Sequence, residues 1–142
     1  MQEKLDLLLK VAPQRINTGL RGAEKSGVYL FTENGAHLYV GRTKKVLRNR
    51  VREHVSVAED CPFAFRLARE ATNNCVAVYR GEGTRKTLLK NTLFRNAYEK
   101  AKSRIREMDV RWISEPDALG QTLLEIYVAV TLATPYNDLD TH

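Results

Sequence analysis

The chain has 142 residues, 43% hydrophobic and 28% charged, with 23 Lys and Arg against 17 Asp and Glu for a net charge of +6. That length supports a hydrophobic core without disulfides or a structural metal, and argues for one compact domain rather than two linked ones. The longest uncharged run, residues 126–137, falls short of the roughly 20 apolar residues a membrane span needs, and MQEKLDLLLKVAPQR is too polar for a secretory signal. No membrane partner is expected. The cytoplasm is the expected compartment, with Cys61 and Cys75 as reduced thiols.

Leu5, Leu8, Leu9 and Ala12 recur at i, i+3, i+4 and i+7 before Pro13, so residues 3–12 read as a short docking helix. A connecting loop follows over 13–26. GVYLF, TENGA and HLYV, from Gly27 onward, read as two strands about an Asn-Gly turn. A strict two-residue turn pairs Leu30 with Tyr39 and puts Tyr29 and Tyr39 on opposite faces, whereas a three-residue loop at 34–36 puts them on one face. A site shared by the tyrosines therefore predicts the longer turn. Residues 46–57 form a basic helix with Leu47, Val51 and Val55 as its apolar stripe, and another helix covers 63–72. CVAVY at 75–79 stays open between strand and loop. Past Gly81 and Gly83 a long basic helix is expected over 85–107, with Leu88, Leu89, Phe94, Ala97 and Ile105 inward. DVRWIS at 109–114 reads as a strand, and 118–134 as a last helix stopped by Pro135. The order ββαααβα predicts a small α/β sandwich, a three-stranded sheet flanked by helices.

The charge is segregated. Residues 42–54 carry six basic residues (Arg42, Lys44, Lys45, Arg48, Arg50 and Arg52) against Glu53, and residues 80–106 carry nine against Glu82 and Glu99, among them Arg85, Lys86, Lys90, Arg95, Lys102 and Arg106. These segments total +12, so the remainder carries −6, and residues 107–142 hold seven acids and only Arg111. Clustered cations suit a polyanion, because lining a phosphate chain releases its counterions. Two solvated helix faces would give the same counts.

Glu125 is the only charged residue between Asp117 and Asp138, within the apolar run QTLLEIYVAVTLATPYN. A carboxylate buried there needs a metal ion or an arginine as partner; the alternative is a narrow solvent strip with Gln121 and Ala129. Asn137 follows Pro135, which lets TPYN fold back toward the same place or simply end the helix in a turn. Arg50 and His54, at i and i+4, share a helix face, and pair a forked phosphate donor with a proton acceptor near neutral pH. The three histidines are scattered and the two cysteines form no CxxC, so no zinc site is expected. Phosphate-cradling and nucleophile-elbow motifs are absent from the sequence.

Taken in order, Gly27-Val28-Tyr29, Tyr39-Val40-Gly41, Arg50, His54, Glu125 and Asn137 resemble the GIY-YIG endonuclease family over about residues 26–138. Valine replaces isoleucine in both tripeptides. The resemblance implies a three-stranded antiparallel sheet with helices packed on it and a nuclease site using one divalent metal, Mg2+ or Mn2+. It implies DNA as partner, with a homodimer as the simplest route to cutting both strands. It sets residues 1–25 apart as an N-terminal helix and loop, and makes 26–142 the nuclease domain with a helical insertion at about 58–107. Carried over by residue, Tyr29, Tyr39, Arg42, Arg50, His54 and Asn137 form the catalytic set. Glu125 becomes the metal ligand. Tyr29 or His54 would take the proton from the attacking water, and Arg50 with Arg42 would clamp the phosphate. Lys44, Lys45 and Arg48, with Arg85, Lys86, Lys90, Arg95, Lys102 and Arg106, would follow the DNA backbone. A nucleic-acid-binding module of the same fold that does not cut, and a partner-docking domain using the N-terminal helix, are the competing readings.

Overall fold

The structure is a computed structural model that describes residues 1–57, 61–73 and 85–137. The chain divides into two compact units, Met1–Arg52 with the segment from Glu107 onward, and Glu53–Arg106.

The first unit is a mixed α/β fold on an antiparallel sheet of β1 (Gly27–Glu33), β2 (Ala36–Thr43) and β3 (Asp109–Ser114), in the order β2-β1-β3. Val28, Leu30 and Val40 face α1 (Gln2–Lys10) and α6 (Ala118–Leu132), which bury Leu5, Leu8, Leu124, Val128 and Ala129 against them. Each leucine or valine so buried contributes about 1.5–3 kcal/mol. The helix read as a docking element therefore inserts its apolar face into the chain's own core. The loop after it is structural too. Gln14 exchanges two backbone hydrogen bonds with Val110 at the free edge of β3 (3.0 and 2.7 Å), and the carbonyls of Lys25 and Ala23 accept the Leu47 and Arg48 N–H groups of α2 (Leu47–Glu53) at 2.9 Å. Those N–H groups open the helix and have no partner within it.

The hairpin corrects one expectation. Asn34 and Gly35, both at positive φ (50° and 82°), make the tight two-residue turn, and Glu33 pairs with Ala36. A bulge between Phe31 and Thr32 then shifts the register, so that Thr32 faces His37 but Phe31 faces Tyr39. Leu38 is the extra residue. The bulge does what the longer loop was expected to do, because one unpaired residue flips every side chain beyond it to the other face.

Two helices are shorter than expected. α2 ends at Glu53 rather than 57. α6 ends at Leu132, where Ala133 turns left-handed (φ 51°) and the Thr134 N–H bonds back to the Ala129 carbonyl at 3.1 Å.

In the second unit, α3 (Pro62–Ala71) starts with proline in its first turn, where a missing N–H does no harm. The long helix expected over 85–107 is two, α4 (Arg85–Lys90) and α5 (Thr92–Arg106). Asn91 causes the break, since its side-chain oxygen accepts the Phe94 N–H at 3.1 Å and caps α5. Phe65 of α3 packs on Phe94 and Tyr98 of α5, with ring centroids 5.1 and 6.2 Å apart. The 75–79 run and the helix-breaking glycines at 81 and 83 lie outside the described residues, as do the side chains of Arg85 and Lys86. Among the described residues no helix is long and apolar enough to cross a membrane.

Candidate active site

With the bulge in place, Tyr29, Phe31, Tyr39 and Gly41 share one face of the hairpin, Tyr29 lying opposite Gly41 and Phe31 opposite Tyr39. Tyr29 sits at the sheet's centre, opposite Trp112 on its other side, and is buried. Both tripeptide glycines have a physical cause. A Cβ on Gly27 would lie 2.0 Å from the Ile113 carbonyl oxygen, and one on Gly41 would lie 2.3 Å from the Tyr29 hydroxyl oxygen and from its ring. The Tyr29 ring thus crosses β2 in the space that Gly41 leaves open.

Arg42 faces the other way, opposite Val28, on the side that α6 covers. There its Nε stands 3.6 Å from Glu125 Oε1. Gln121 and Ala129 are buried, which removes the solvent strip considered for Glu125, whose own side chain is 27% exposed. Desolvation pushes this carboxyl above the usual carboxylate range, and Arg42 pulls it back. The site therefore straddles the β2 edge, with the Tyr29 hydroxyl on one side of Gly41 and Glu125 on the other. Burial raises Tyr29 far above the ordinary tyrosine range, and Tyr39 and Glu125 add to the rise. The charge and hydrogen bond of Arg50 oppose it. Four elements, β1, β2, α2 and α6, so bring Tyr29, Tyr39, Arg42, Arg50 and Glu125 into electrostatic reach.

Asn137 reaches the same edge by another route. Its side-chain oxygen accepts the Val40 N–H (2.8 Å) and the Thr134 hydroxyl (2.8 Å), its NH2 donates to the Val40 carbonyl (2.7 Å), and the Tyr136 N–H donates to Leu38 (3.2 Å). TPYN does fold back. The Asn137 amide clamps the β2 backbone at Val40, between Tyr39 and Gly41, so the bonds it makes position the strand. His54 lies one residue beyond α2, at the start of the second unit, and is buried; the helix expected to carry it with Arg50 stops short of it.

The cations expected along DNA separate into two groups. Lys44, Lys45 and Lys90 are exposed and Arg95 is half-buried. Lys102 is buried, with its ammonium 4.4 Å from the Tyr98 ring centroid and 3.5 Å from Glu99, so it is corrected to a core residue. Arg48 ties down the connecting loop through the Gly19 and Leu20 carbonyls (3.1 and 3.2 Å) and Glu24. Arg106 donates to the Val55 carbonyl at 3.0 Å. Both guanidinium groups hold backbone instead of standing clear for phosphate.

Glu125 offers one carboxylate, partly open to solvent and loosely paired with Arg42. That suits Mg2+ or Mn2+, which keep water and substrate oxygens in most positions. Among the described residues no three His, Cys, Asp or Glu side chains converge, so a zinc-type ligand set is not formed there. In comparisons with protein-family models, curated proteins and solved structures, no match is found for this chain.

Proposed function

We propose that the chain is a DNA endonuclease of the GIY-YIG type that hydrolyses phosphodiester bonds with one divalent metal ion. The observation that carries this reading is that Tyr29, packed against Gly41 of β2, lies in electrostatic reach of Arg50 and Glu125, while Glu125 pairs with Arg42. Arg50 and Arg42 bring two forked donors to a partly desolvated place, where they bind a phosphate and stabilise the negative charge that grows on it. Glu125 would hold Mg2+ or Mn2+, which would supply Lewis-acid stabilisation of the phosphate and of the departing 3′ oxygen. Tyr29 keeps its proton at neutral pH in the free chain, since burial favours the uncharged phenol. Its hydroxyl can therefore orient the attacking water by donating to it, and takes up that water's proton only as a phenolate, after added positive charge has lowered its pKa and its own proton has passed to solvent. A reduced Cys61 thiol, donating to the Glu53 carbonyl at 3.1 Å, fits work in a reducing, cytoplasmic setting.

The test is nicking of supercoiled plasmid in Mg2+ or Mn2+, abolished by EDTA. Glu125→Ala is expected to lower the rate at least about 10²-fold, a loss of roughly 3 kcal/mol of transition-state stabilisation, with DNA affinity held within about threefold. Cleavage at the wild-type rate by that variant would sink the proposal. DNA binding with no metal-dependent cleavage by the wild type would mark the chain as a non-cutting module.

A further inference from the structure

Arg42 differs from the arginines that hold the fold. Arg48 donates to the Gly19 and Leu20 carbonyls and to Glu24, Arg106 to the Val55 carbonyl, and Arg111 to the Val11 carbonyl at 3.2 Å. Each of them ties down backbone. Arg42 donates to no carbonyl among the described residues, and the acid it faces is Glu125, with Nε 3.6 Å from Oε1. At that distance the charges attract without a hydrogen bond. Both side chains also reach solvent, Arg42 at 36% and Glu125 at 27%, and pairs so exposed change an equilibrium by about fivefold at most. This pair is therefore easily parted.

Each member is also what one of the two ligands of the site would take. A divalent cation held by Glu125 takes up the carboxylate and stands as a second positive charge beside the guanidinium. A phosphate held by Arg42 takes up the forked donor and stands as a second negative charge beside the carboxylate. Either ligand alone must part the pair and meet a like charge. Together they compensate each other, since the phosphate lies between two cations and the cation between two anions.

We propose that the Arg42–Glu125 pair is a counter-ion exchange that couples metal to substrate: Glu125 turns to the divalent cation and Arg42 to the phosphate in one event, so that the chain holds each weakly without the other. The exchange presupposes the nuclease reading and adds to it the order in which the site fills. Loading with metal accompanies contact with DNA instead of preceding it.

The tests read binding, so they stand apart from cleavage. In nitrogen–proton NMR of the arginine side chains, the Arg42 Nε–H signal, identified by its loss in Arg42→Gln, is expected to move when Mg2+ is added to the wild type and to stay in place in Glu125→Gln. Mn2+ affinity, read from the spin-resonance signal of the free ion, is expected to be about two- to fivefold tighter in Arg42→Gln than in the wild type. A disturbed fold would weaken binding instead. A short phosphorothioate duplex, which resists cleavage, is expected to tighten Mn2+ binding at least about fivefold in the wild type, and Mn2+ to tighten duplex binding by the same factor. In Arg42→Gln that enhancement is expected to fall at least about twofold, with Arg42→Lys recovering part of it because it keeps the charge. An Arg42 signal unmoved while Glu125 takes up the cation, or Mn2+ held no more tightly by Arg42→Gln, would overturn the exchange and leave the nuclease reading standing. Mn2+ bound by Glu125→Gln as tightly as by the wild type would overturn both, since the carboxylate would then hold no metal.

Discussion

Gly41 constrains the site although it has no side chain. Since an added Cβ would fall 2.3 Å from the Tyr29 ring, Gly41→Ala must displace the ring or push β2 away from β1. Overpacking of this kind typically costs about 1–3 kcal/mol. The loss is expected to shrink sharply when Tyr29→Ala is present as well, because the two residues share one space; chemical denaturation of the four chains in that cycle checks it. Additive losses would show that the ring is not what excludes the methyl group. The positions of Tyr29, Arg42 and Glu125 were legible in the sequence from order and spacing, but the reason for Gly41 was not, since it depends on which residue faces which across the hairpin. Lys102 was misplaced for a related reason. Counting cations ignores faces, whereas its place in the stripe of Phe94, Tyr98 and Ile105 puts it on the buried side of α5.

The strand after the turn depends on the segment after the last helix. β2 is an edge strand, and an edge leaves N–H and C=O groups without sheet partners. Asn137 fills that role at Val40 with one donor and one acceptor. Asn137→Ala removes both at once and is expected to lower stability by about 1–3 kcal/mol, the range for leaving buried polar groups unsatisfied. Asn137→Asp keeps the bond from the Val40 N–H but opposes its carbonyl, and should recover only part of the loss; unfolding midpoints of the three chains test this order, and an aspartate variant as stable as the wild type would contradict it. The strands and α6 were readable from alternation and from Pro135. The bulge at Leu38 and the break at Asn91 were not, because each rests on one residue in an otherwise continuous pattern. Asn91 carried a signal, as asparagine favours the start of a helix over its interior.

Across the whole molecule, charge resolves into cations that reach solvent and cations that hold structure. Lys44 and Lys45, exposed beyond β2, are expected to contribute to DNA affinity in proportion to counterions released. Lys44→Gln with Lys45→Gln should flatten the dependence of log affinity on log salt by up to about 2, whereas Lys102→Gln should leave the slope unchanged while lowering stability. Fluorescence anisotropy on one duplex at several salt concentrations separates them, and a slope that follows Lys102 would reverse the assignment. The hairpin has a different consequence at this scale. Register at the tyrosines is set at Leu38, whose carbonyl is held by the Tyr136 N–H, and not at the Asn34-Gly35 tip. Parity is thus counted from the Leu38–Tyr136 contact inward, and the tip is a place where the chain can lengthen without rotating the site. A recognition loop grafted there would project from the sheet while Tyr29 and Tyr39 keep their shared face.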